Sequence, residues 1–114
     1  MPKVLSEKQV DHFHREGFIT PIPVLSEDEV AKYRAQLEAF KAKFPDDRRK
    51  LKSKSHLLCP WVDEMARNDR ILDLYEDLIG PNILCYSMAF RIKEPDGKTF
   101  AGWHQDGAYN PIKP

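Results

Sequence analysis

Residues 83–93 read ILCYSMAFRIK, and the period of this stretch decides the fold. Leu84, Tyr86, Met88, Phe90 and Ile92 alternate with Cys85, Ser87, Ala89, Arg91 and Lys93, so an extended segment would carry the two sets on opposite faces. The first face is apolar and predicts core. The second bears small side chains followed by two cations, a surface suited to surrounding a polar ligand. Pro95, Asp96 and Gly97 then form a strong turn signal, and a second strand is expected to return from Phe100 to Asp106.

Working toward the N-terminus, the period changes from 2 to 3.6. Ser6-x-x-Gln9 and Ser26-x-x-Glu29 both have the form of a capping box. Leu5 with Val10, and Leu25 with Val30, stand where a hydrophobic staple would pack. A helix is expected over residues 7–16, stopped by Gly17. A longer one carries Val30, Tyr33, Leu37, Phe40 and Phe44 on one face and ends at Pro45. Its first turn is acidic and its last basic, which suits the helix dipole. Residues 18–24, with two prolines, are extended and can add an edge strand. Residues 46–55, DDRRKLKSKS, read either as a solvated loop or as a basic lip over an anionic substrate. Pro60 suits the first position of a helix, and Asp69 is placed to cap another whose apolar face is Ile71, Leu72, Tyr75, Leu78 and Ile79. Gly80-Pro81 ends it.

Composition narrows the function. The 114 residues suit one domain, 1–114, and the formal charge is zero from 18 basic and 18 acidic side chains. There is no field to gather nucleic acid or an anionic membrane, which favours a small-molecule role. No leader-like apolar stretch opens the sequence, and none approaches the roughly 20 apolar residues that span a bilayer. Cys59 and Cys85 are isolated, as in a reducing compartment, so a soluble cytoplasmic protein is expected.

Within the second expected strand stands Trp103-His104-Gln105-Asp106. On a strand, Gly102, His104 and Asp106 share a face, and an imidazole nitrogen and a carboxylate oxygen converge beside a residue with no side chain. Such a pair is two-thirds of the 2-His-1-carboxylate set that holds non-haem Fe(II). It is equally a His–Asp hydrogen bond on a strand, and the triplet alone is weak evidence. His14-x-Glu16 is an instructive control. The same spacing in a helix turns the two side chains about 200° apart, so they cannot share an ion, and His12 and His14 read as surface or core-edge residues.

Four features together resemble the phytanoyl-CoA dioxygenase family of iron- and 2-oxoglutarate-dependent oxygenases, which includes ectoine hydroxylase. They are QVDHFHREGFITPIPVLSEDEV (residues 9–30), DLIGPNILCYSMAFRIKEPDG (77–97), WHQDGAY (103–109), and the spacing of the last two. The resemblance runs along essentially the whole chain, as the front part of such an enzyme. It implies His104 and Asp106 as iron ligands and Lys93 as a lysine that holds 2-oxoglutarate, a cation suiting a dicarboxylate. It implies Ser87 and Tyr109 at the substrate. Trp103 is expected to pack behind the strand, and His56 either faces the site or is structural. Halogenating relatives lack the carboxylate ligand, so Asp106 favours hydroxylation. The implied cofactors are Fe(II) and 2-oxoglutarate, with O2 and a small-molecule substrate.

The implied fold is α+β: N-terminal helices packed on the first strands of a double-stranded β-helix, a jelly-roll or cupin-like core, here cut short. The family's second iron-binding His and its 2-oxoglutarate-clamping Arg have no counterpart before Pro114. Two strands with open edges tend to associate, so self-association is expected. Two further readings remain: a catalytically inactive α+β binding module descended from that fold, and an assembly in which another chain supplies the missing parts.

Overall fold

The computed structural model describes residues 1–93, 95–98 and 100–108. Among them are four α-helices, α1 (Glu7–Glu16), α2 (Glu27–Lys43), α3 (Pro60–Ala66) and α4 (Asp69–Ile79), joined by irregular chain and short 3₁₀ turns. There is no β-strand among the described residues, which overturns the α+β, double-stranded β-helix expectation.

Both capping boxes form. Ser6 Oγ accepts the Gln9 amide while Gln9 Oε1 accepts the Ser6 amide at 2.9 Å. Ser26 and Glu29 repeat the exchange at 3.3 and 2.7 Å. Gly17 closes α1 in the left-handed region at φ 81°, where a side chain would be strained. Pro60 opens α3 as expected. The cap of α4 is Asn68, whose side chain accepts the Arg70 amide at 3.0 Å, and not Asp69, which is the first helical residue. Either side chain can cap, and the extended backbone at Asn68, φ -65° and ψ 119°, is that of a cap residue.

The extended stretches fail to become strands because a strand exists through its ladder, and the ladder partners are not there. Residues 83–93 take their backbone partners from the basic loop. Phe90 N–H donates to Leu51 O at 2.8 Å and Ser55 N–H to Met88 O at 2.9 Å. Among the described residues, no backbone hydrogen bond joins 100–106 to 83–93, or 18–24 to another segment. The turn itself is present: Asp96 Oδ1 accepts the Lys98 amide at 2.9 Å, and Gly97 sits at φ 67°.

Leu51, Cys59 and Val62 form a buried cluster, against which Leu37, Phe40, Trp61, Met88, Phe90 and Ile92 pack. Trp61 and Phe90 stack at 5.4 Å. Three of the five residues on the expected apolar face of 83–93 thus pack on the core, whereas Leu84 and Tyr86 are exposed. Trp103 packs behind nothing; it is fully exposed, because the strand it was to cover does not form. The basic loop is more than solvated chain. Leu51 and Ser55 are completely buried, and Ser55 Oγ donates to Met88 O at 2.8 Å. The radius of gyration, 16.2 Å, exceeds the roughly 13 Å of a compact chain this long, as a small core predicts.

Two carboxylates tie distant segments together. Asp77 on α4 accepts the amides of Lys3, Val4 and Leu5 at 2.6, 2.8 and 2.9 Å, while Lys3 Nζ bonds Asp73 and Glu76. Burial opposes ionisation of Asp77, but the amides of Leu5, Lys3 and Val4 outweigh it and hold its carboxyl below the usual range. At Glu29 the Ser26 amide, then the Arg70 guanidinium and the Ser26 hydroxyl, lower the carboxyl from 4.5 to about 2. A depressed folded-state pKa contributes stability that is complete above the unfolded value and lost as pH falls through the folded one. The melting temperature should therefore drop as pH falls from about 4.5 to 2. In Glu29→Gln the drop should be shallower, from a lower starting point. A drop of the same depth in that variant would clear Glu29 of any part in acid unfolding.

Candidate functional site

His104 lies on the irregular chain after the turn, and Asp106 opens a 3₁₀ turn, Asp106–Ala108. Although no strand forms, the i, i+2 spacing brings the two side chains together. His104 Nε2 stands 3.2 Å from Asp106 Oδ1, and His104 Nδ1 stands 2.8 Å from Gly102 O. A carbonyl oxygen can only accept, so this contact is a hydrogen bond when Nδ1 carries the hydrogen. Nε2 is then the nitrogen turned toward the carboxylate, and a nitrogen lone pair facing a carboxylate oxygen is a place for a cation, whether proton or metal. Both side chains are open to solvent, at 49% and 84% relative exposure. Among the described residues, no three His, Cys, Asp or Glu side chains converge as a metal site.

Asp106 also borders a cavity of about 720 Å³, within the usual size range of small-molecule sites. One wall is α4, through Ile71, Leu72, Tyr75 and Ile79. Another is the extended segment, which borders the cavity from both of its alternating sets, Cys85, Ser87, Ala89 and Arg91 as well as Leu84, Tyr86 and Met88. Lys52, Ser53 and Lys54 close a third side.

Of the residues singled out from the sequence, Ser87 and Asp106 thus border one cavity. Ser87 Oγ accepts the Lys54 amide at 3.1 Å. Lys93 is exposed and lies off the cavity wall, as does His104. Tyr109 lies outside the described residues. His56 is half-buried and borders a second recess, its Nδ1 accepting the Met88 amide at 3.4 Å. Arg91, Lys52 and Lys54 were not named as site residues. The signal for Arg91 was its place two residues before Lys93 on the same face. The lysines needed the pairing of 51–55 with 88–90, which is not a local pattern. Cys59 is removed from this chemistry, since burial pushes its thiol above the ordinary value.

No described helix is long and apolar enough to cross a membrane. No solved structure matches the chain. A protein of Stutzerimonas stutzeri described as a probable alpha-ketoglutarate-dependent hypophosphite dioxygenase is 34% identical over 56 residues. That alignment covers 49% of this chain and 19% of the relative, so the chain matches about a fifth of that protein's length. The family described as phytanoyl-CoA dioxygenase (PhyH) matches residues 13–114, nearly the whole sequence and all of the site just described. The chain therefore belongs to the phytanoyl-CoA dioxygenase family, among the 2-oxoglutarate-dependent dioxygenases.

Proposed function

We propose that this chain carries part of the active site of an Fe(II)- and 2-oxoglutarate-dependent dioxygenase that hydroxylates a small molecule. The observation that carries the reading is the 3.2 Å approach of His104 Nε2 to Asp106 Oδ1 beside a cavity of ligand size. Two donors at a right angle, each about 2.1 Å from one ion, stand about 3 Å apart, so the pair fits a first-row metal as two of its donors. When bound, iron with 2-oxoglutarate and O2 supplies the oxidation of a substrate C–H bond.

The protein's own groups have distinct tasks. The Gly102 carbonyl, by holding Nδ1–H, fixes the ring so that Nε2 is the donor. Asp106 contributes the anionic oxygen that favours a hard divalent ion. Lys93 offers an ammonium to a 2-oxoglutarate carboxylate. Ser87 and Tyr109 contact the substrate, and the apolar α4 wall keeps water from part of it.

Mn(II) serves as a probe because its paramagnetism reports even a weak site. Added anaerobically at substoichiometric concentration to labelled chain, it should broaden the NMR signals of residues 102–108 first, and 2-oxoglutarate should strengthen the effect. Broadening elsewhere, with 102–108 untouched at excess Mn(II), would defeat the ligand assignment and leave the inactive binding module standing.

A further inference from the structure

The formal charge of zero is a sum of unlike parts. Residues 41–54 hold seven Lys or Arg and two Asp, a net +5, so the other 100 residues carry −5. Screening confines the reach of a charge to about 8 Å at physiological ionic strength, so an approaching surface meets the local sum and not the total. Folding gathers these cations. Lys43 Nζ at the end of α2 and Lys50 Nζ lie 5.4 and 5.9 Å from the centre of the Phe44 ring, and the 3₁₀ turn Arg48–Lys52 packs against the turn Ser55–Leu57. Lys43, Arg49, Lys52 and Lys54 are exposed and make no ion pair among the described residues, although Lys50, in the same loop, pairs with Asp47.

Two leucines stand beside them. Leu57 N–H donates to Lys54 O at 3.0 Å, closing a turn that begins at Lys54, whose φ of 49° is rare for a residue with a side chain. That turn is anchored to the extended segment, because the Lys54 and Ser55 amides bond Ser87 Oγ and Met88 O. Leu57 and Leu58 are left 71% and 58% exposed, whereas Leu51, in the same loop, is fully buried. One exposed leucine means little, but two adjacent ones at the end of a cation-rich loop have the make-up of a site that enters the head-group region of a bilayer. A nucleic acid would use the cations and not the leucines, and Phe44, the one Phe, Tyr or Trp between 41 and 58, is half-buried beside two ammoniums instead of open to stack on bases. We propose that residues 41–58 form a docking surface for an anionic lipid bilayer, the cations meeting the head groups and Leu57 with Leu58 entering between them. Net charge alone predicts indifference to such a membrane; the division of charge does not.

The test is sedimentation of the metal-free chain with vesicles of phosphatidylcholine alone and of phosphatidylcholine mixed with phosphatidylserine. Binding is expected to the mixed vesicles, at least about tenfold weaker to the neutral ones, and weakened by added salt. Lys43→Gln and Arg49→Gln, neither on the cavity wall, should each weaken it about fivefold, the contribution of one cation near an anionic surface. Lys8→Gln, at an exposed lysine outside the patch, should leave it unchanged. The double variant Leu57→Ala, Leu58→Ala should bind at least about tenfold more weakly, with the same salt dependence as the parent. Circular dichroism checks that each variant is folded. No binding to mixed vesicles at low salt, equal binding to both kinds, or equal losses in Lys8→Gln and Arg49→Gln would overturn the proposal. So would unchanged binding in the leucine variant, and comparable uptake of a DNA duplex would then make the loop a general polyanion site. No iron or 2-oxoglutarate takes part, so failure here leaves the oxygenase reading untouched, and failure of the Mn(II) experiment leaves the bilayer surface standing.

Discussion

In His104→Ala, the Mn(II)-induced broadening of residues 102–108 should disappear, with an affinity loss of at least about 100-fold. Removing a group that merely orients a metal-bound histidine costs 10- to 100-fold, so removing the donor itself should cost more. Asp106→Ala should do the same by a second route, since it takes away both the anionic oxygen and the charge that attracts the ion. Fold should not suffer, because both side chains are well exposed and neither belongs to the Leu51 cluster. A circular dichroism spectrum unchanged from the parent is therefore part of the expected result. Broadening that persists in both variants would mean that the ion sits elsewhere.

Leu51→Ala should lower the free energy of unfolding by about 3 kcal/mol, read as an earlier urea midpoint. The side chain is completely buried in a cluster that collects α2, α3 and the extended segment. Small domains have little stability to spare, so a loss of that size leaves a substantial unfolded fraction. The loop that carries Lys52 and Lys54 is anchored by the same side chain. Leu57→Ala, at an exposed leucine six residues away, should change stability by less than about 0.5 kcal/mol. A Leu51 effect as small as that would mean the cluster is not what holds the chain together.

What the sequence revealed depended on how far apart the interacting residues lie. Ser6 with Gln9 and Ser26 with Glu29 are three apart, and the caps that begin these two helices were legible to the residue, though the second ends at Lys43, short of the expected Pro45. His104 and Asp106 are two apart, and their approach was legible even though the strand invoked to explain it is absent. Alternation along 83–93 identified Met88, Phe90 and Ile92 as core. It also implied a ladder, which requires a distant partner that periodicity cannot supply. The basic loop was read as solvated chain or as a basic lip, and neither reading included the burial of Leu51, which depends on the distant segment around Met88 and Phe90. Arg91, Lys52 and Lys54 were visible as charges, but their place on one cavity was not.

The clasp between the chain's first residues and α4 bears on the order of synthesis. Lys3 and Asp77 are 74 positions apart, so the amides of residues 3–5 stay without their carboxylate until α4 has left the ribosome. Leu5, buried at the end, has no place to be buried until then. Residues 3–5 are thus made well before the element on which they dock. Until α4 emerges they are an open segment on which a nascent-chain chaperone can act.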